Sequence, residues 1–93
     1  MTAFLEKSVT IVNARGLHAR AAARLVKTVE QFRDAEVRLA KDDMDVAGTS
    51  IMGLLMLGAG IGSVVTVRAG GAGAEAALAA VVALIERRFD EDA

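Results

Sequence analysis

The spacing of apolar positions changes several times along the chain, and each change marks an element. Val9 and Ile11, with Thr10 and Val12 beside them, form a β-branched run that predicts a first strand. Asn13 to Gly16 interrupts it. From His18 the period lengthens, and Ala22, Leu25, Val26, Val29 and Phe32 share one face of a helix that Arg33-Asp34 ends. Val37 and Leu39 then alternate with Glu36, Arg38 and Ala40 as a half-buried strand. Lys41-Asp42-Asp43 is a hairpin turn, and Met44 to Ala47 the returning strand. Ser50 to Leu57 is apolar almost throughout and predicts a short helix closed by Gly58, with Gly58 to Gly62 as a turn. Val64, Val65 and Val67 make a fourth strand, broken by Gly70, Gly71 and Gly73. Ala74 to Phe89, with Ala74, Leu78, Val81 and Ile85 on one stripe, predicts a long last helix. Arg87 and Arg88 would sit at its end, where the helix dipole favours cations.

The order is β-α-β-β-α-β-α. Short strands with one polar side suit an antiparallel sheet with one face open. The expected fold is α+β: an open-faced two-layer sandwich, a four-stranded antiparallel sheet with three helices on one face.

Composition narrows the function classes. Ninety-three residues suit one domain spanning 1–93. Cysteine is absent, which excludes thiolate metal sites and cysteine nucleophiles. The most apolar run, Ile51 to Leu57, falls far short of the roughly 20 residues that span a bilayer. The start, Met1 to Lys7, lacks the basic stretch and apolar core of a signal peptide. A soluble, cytoplasmic monomer that contacts no membrane is expected. A net charge of -1 and only three aromatic residues, all Phe, argue against nucleic-acid binding. One histidine and scattered acids make no metal cluster, and no cofactor is expected. Gly58-x-Gly60-x-Gly62 follows a helix rather than a strand and reads as a turn, not a dinucleotide loop. Met44, Met52 and Met56 read as core or interface.

Charge is unevenly placed. Arg15, Arg20, Arg24 and Lys27 fall in a stretch without acids, while Asp90, Glu91 and Asp92 form an acidic tail read as a solvated face. His18, the one histidine, stands where a loop gives way to the first helix. The first amides of a helix lack intrahelical partners, and together with the dipole they favour an anion such as a phosphoryl group. The same positive end favours a neutral, nucleophilic imidazole. Arg20 can neutralise phosphoryl charge, and Gly16 permits the turn that brings His18 to the helix mouth. Taken singly, a histidine at a helix start is more often an ordinary terminal residue. The Arg20, Arg24 and Lys27 stripe is more often a solvated face, although beside His18 it could dock an acidic partner.

The segment Gly16-Leu17-His18-Ala19-Arg20-Ala21-Ala22 closely resembles the active-site segment of HPr, the histidine phosphocarrier of the bacterial phosphotransferase system. Gly48-Thr49-Ser50-Ile51-Met52-Gly53-Leu54-Leu55-Met56-Leu57-Gly58 is similar to that family's regulatory serine segment and short helix. Asn13, the run Leu54 to Leu57 and the ending Phe89-Asp90-Glu91-Asp92 look like its nitrogen-regulatory branch, NPr.

The resemblance implies that His18 accepts a phosphoryl group through Nδ1, that Arg20 stabilises it, and that the Ala19 and Arg20 amides contact its oxygens. It implies phosphorylation of Ser50 where an HPr kinase exists. It implies a docking surface at Ile51, Met52 and Leu55, to which Leu17 and the basic Arg24 and Lys27 beside His18 are expected to add. The partners implied are enzyme I as donor and a IIA-type protein as acceptor, with the chain acting as a carrier and not as an independent catalyst. Ala21 departs from the family, many of whose members have proline there, and so implies a looser helix start. Two other functions fit the same layers: a purely regulatory module acting through Ser50, and a small acylphosphatase-like enzyme, whose phosphate loop this chain lacks.

Overall fold

A computed structural model describes residues 3–93. Met1 and Thr2, where the expectation about a signal peptide begins, lie outside the described residues. The elements are β1 (Phe4–Thr10), α1 (Ala19–Val29), β2 (Ala35–Lys41), β3 (Met44–Ala47), α2 (Ile51–Met56), β4 (Val64–Gly71) and α3 (Ala74–Glu86). The four strands form one antiparallel sheet in the order β1-β4-β2-β3. This is the expected open-faced sandwich.

Alternation decides which face is covered. Val65, Val67 and Ala69 of β4 and Val37 and Leu39 of β2 are buried, as are Leu25 and Val29 of α1 and Val81, Leu84 and Ile85 of α3. Their intervening neighbours point to the open face. There Arg38 and Arg68 pair with Asp45, and the Arg68 guanidinium lies 4.9 Å from the Phe4 ring centroid. The β2–β3 hairpin turns at Asp42-Asp43, with Lys41 opposite Met44. Asp42 takes the positive φ of 55° that so tight a turn needs.

Four boundaries differ from the sequence reading. α1 ends at Val29 with Glu30 as its C-cap, so the expected helix to Phe32 is corrected: Phe32 packs against the core from the turn beyond it. β1 begins at Phe4 and ends at Thr10, so Ile11 and Val12 lie past it, although Ile11 is still fully buried. β4 runs through Gly70 and Gly71 instead of breaking there. Gly70 pairs with Phe4, and a Cβ at that position would stand 2.7 Å from the Phe4 ring. The glycine accommodates an aromatic neighbour and does not end the strand. The last helix stops at Glu86, with Arg87 as its C-cap. Arg88, Phe89 and Asp90 then adopt φ of 62°, 53° and 63°, so the expected helix to Phe89 is corrected to a left-handed reversal. Phe89 is fully buried. Packing that ring into the core offsets a backbone cost of order 1–3 kcal/mol per residue in such a region.

Candidate functional site

The loop between β1 and α1 sets the position of His18. Gly16 has φ 65°, and a Cβ there would meet the Ala59 carbonyl oxygen at 2.6 Å. Leu17 N–H donates to the same Ala59 oxygen at 2.8 Å. The loop is thereby seated on the segment just past α2. Leu17 is buried at 5% exposure. The expectation that it offers a docking surface is corrected: it supports the loop from beneath.

His18 is the N-cap of α1, in extended backbone with φ -81° and ψ 179°. Its Nδ1 accepts a hydrogen bond from the Arg20 amide at 3.3 Å. Its Nε2 meets Oε2 of Glu91. An acceptor Nδ1 and a carboxylate facing Nε2 define the tautomer: the proton is on Nε2 and the lone pair on Nδ1. Asn13, fully buried, donates from Nδ2 to the Gly16 carbonyl at 2.8 Å and to Oε1 of Glu91 at 2.9 Å. Arg24 donates to the Phe89 carbonyl. The acidic tail was expected to be solvated, and for Glu91 that is corrected: it folds back on His18. The two side chains retain only 18% and 14% exposure.

Burial pushes the pKa of the Glu91 carboxyl up. Hydrogen bonds from Asn13 and His18 and the nearby His18 and Arg24 together outweigh that, and hold it below the ordinary carboxylate value. Glu91 is therefore ionised at neutral pH. Beside it, a cleft of about 350 Å³ is lined by Arg15, Arg20, Arg24, Asp90, Glu91 and Asp92, among others. Arg20 is exposed at its rim. Lys27, also exposed, lies further along α1. Among the described residues, no group of three or more His, Asp and Glu is placed to hold a metal ion.

Ser50 is the N-cap of α2, its Oγ accepting from the Gly53 amide at 3.0 Å. On α2, Leu54 faces the core, and the C-cap Leu57 is buried as well. Ile51, Met52, Leu55 and Met56 are exposed, Met52 at 71% and Met56 at 65%. A six-residue helix lying flat on the core buries one narrow stripe.

The family model described as "PTS HPr component phosphorylation site" matches residues 5–87. The chain belongs to the HPr family. Similar relatives are a phosphocarrier protein NPr from Shewanella violacea, 44% identical over 94% of each chain, and a phosphocarrier protein HPr from Cupriavidus necator, 42% identical over 94% of this chain and 97% of that one. Among solved structures, an HPr from Thermoanaerobacter tengcongensis superposes with a TM-score of 0.90 at 40% identity, covering 96% of this chain and 99% of that one. HPr-named and NPr-named relatives lie at nearly equal identity. Membership in this family sets aside the acylphosphatase-like alternative. Among the described residues, no helix is long and apolar enough to cross a membrane.

His18 and Arg20 were found by their motif. Glu91 was missed because three acidic residues in a row read as solvated. The usable signal was Phe89, a large apolar residue in an otherwise polar ending, which has to be buried somewhere.

Proposed function

We propose that this HPr-family chain carries a phosphoryl group on Nδ1 of His18, accepting it from phosphorylated enzyme I and passing it to a IIA-type protein in the cytoplasm. The observation that carries this reading is the His18 ring itself: Nδ1 holds its lone pair at the mouth of α1, beside the Arg20 amide. The nucleophile lies where helix-end amides and the Arg20 guanidinium stabilise the charge of a loose phosphoryl-transfer transition state. As phosphorus arrives, the Arg20 amide exchanges Nδ1 for a phosphoryl oxygen, with the Ala19 amide alongside. Transfer between two imidazoles is close to energetically balanced, so the carrier needs only to present the ring.

The exposed Ile51, Met52 and Leu55 form the docking patch in this reading. The loop of His18 is hydrogen-bonded to the segment just past α2, so a partner reaching the ring meets that patch. Arg24 and Lys27 add positive charge on α1. Phosphorylation of Ser50 by an HPr kinase would set a negative charge at the edge of the patch and slow exchange, and the chain would act as a monomer. The nitrogen-regulatory branch is favoured by Asn13 and the ending Phe89 to Asp92, two of its resembling segments, which meet where Asn13 holds Glu91 against His18. Incubation with phosphoenolpyruvate and enzyme I tests the function. One acid-labile phosphoryl group per chain is expected, gained more slowly by Arg20→Ala. No uptake, or uptake only as an acid-stable ester, would contradict it.

A further inference from the structure

Beyond the nucleophile and its arginine, the site contains a carboxylate brought from the far end of the chain. Glu91 reaches His18 because Arg88 to Asp90 reverse the chain in left-handed backbone, Phe89 is locked in the core, and Arg24 holds the Phe89 carbonyl. Asn13 fixes one carboxylate oxygen at 2.9 Å and leaves the other for Nε2. A non-glycine run in this conformation persists only where its surroundings over-determine it. Here they aim one side chain at one ring nitrogen.

From this geometry we infer that Glu91 is a positioning residue for phosphoryl transfer, holding the proton on Nε2 of His18 through both halves of the exchange. The inference rests on the carrier reading above. In acceptance, the Nδ1 lone pair forms the new N–P bond while the donor's P–N bond breaks and its electron pair returns to the donor imidazole. No proton moves. The phosphorylated ring then carries a formal positive charge shared between Nδ1 and Nε2–H, directly against the Glu91 carboxylate. In donation the N–P pair returns to Nδ1, and the ring leaves as neutral imidazole because Nε2 kept its proton. Were that proton lost, the leaving group would be an imidazolate, a far poorer one. The other charged side chains near Glu91 are Arg15 from the loop, Arg20 and Arg24 from α1, and Asp90 and Asp92 from the tail, all lining the cleft beside it. Asp90 is paired with Arg87. Only Glu91 touches Nε2 among the described residues.

The test compares wild type, E91Q and E91D, using phosphorylated enzyme I as donor and purified IIA-type protein as acceptor, between about pH 6 and 9. E91Q is near-isosteric and keeps Phe89, so the tail stays seated. It should reach full phosphorylation but accept about tenfold more slowly, the lower end of what is lost when a carboxylate partner is removed from a metal-bound histidine. The alkaline fall-off of donation should move about one pH unit toward acid, because a ring that has lost its counter-charge gives up the Nε2 proton sooner. E91D should restore part of both. An E91Q protein with wild-type rates and an unmoved pH profile would overturn the inference. So would one that is faster throughout, since the carboxylate would then be repelling the phosphoryl group. A wild-type protein that takes no phosphoryl group would overturn the carrier reading, and this one with it.

Discussion

Two helices in this molecule begin the same way and end up with different chemistry. His18 caps α1 and Ser50 caps α2, each side chain accepting from an amide two or three residues on. Both starts offer unpaired amides and the positive end of a dipole. Ser50 meets only its own turn. His18 meets, in addition, a carboxylate 73 positions away, which a buried asparagine holds and whose tail an α1 arginine ties down. A helix start supplies a favourable field. Partners from distant sequence fix which ring atom faces it.

Exchanging the two caps for alanine should separate these roles most sharply. Ser50→Ala is expected to cost about 1 kcal/mol of stability, the ordinary value for a lost cap, and to leave phosphoryl uptake intact. His18→Ala is expected to cost a similar amount and to abolish uptake completely. Thermal melts together with phosphoryl transfer from enzyme I check both. Residual acid-labile phosphate on His18→Ala would erase the contrast.

Removing the support of the tail is the next largest effect. Phe89→Ala deletes a fully buried ring and should cost about 3–5 kcal/mol. Below its lowered melting temperature it should also accept phosphate as slowly as a chain lacking the Glu91 carboxylate. Lost stability with a wild-type transfer rate would show that the tail is structural only.

The exposed face of α2 sharpens the comparison from the other side. Met52 is 71% exposed, so Met52→Glu should change stability by less than about 0.5 kcal/mol. It should weaken binding to enzyme I about tenfold, the order expected of a docking contact. Calorimetric titration checks this. A large fall in stability with unchanged affinity would move the docking surface to Arg20, Arg24 and Lys27.

The smallest effect is a pH dependence. The folded Glu91 carboxyl lies below its unfolded value, so its share of stability is fully present above about pH 4.3 and is lost as pH falls through the lower, folded value. The stability gap between wild type and E91Q should therefore narrow on acidification from neutral to about pH 3. Denaturant unfolding at a series of pH values measures it, and a gap that widens on acidification would contradict the assigned shift.

The range of each interaction decided whether it was legible in the sequence. Helices and strands came from local periodicity, and the β2–β3 hairpin was placed from Lys41-Asp42-Asp43 between two alternating runs. His18, Arg20 and Ser50 lie in short motifs and were found there. The strand through Gly70 was missed because glycine signals a break unless the opposite residue is known, and Phe4 lies more than sixty positions away. The end of α3 was misplaced because alanine and leucine favour helix on local grounds, while burial of Phe89 is a tertiary demand. Glu91 combined both failures, being placed by a backbone reversal and held by Asn13 from the opposite end of the chain.

In this site His18 presents a lone pair on Nδ1 while Glu91 holds the proton on Nε2. ¹⁵N NMR of the imidazole ring tests it in one sample, before and after phosphorylation by enzyme I. At neutral pH Nδ1 is expected at the unprotonated, pyridine-like shift and Nε2 at the protonated one. Phosphorus coupling should then develop at Nδ1 while Nε2 keeps its proton. A free ring protonated on Nδ1, or phosphorus coupled to Nε2, would contradict it.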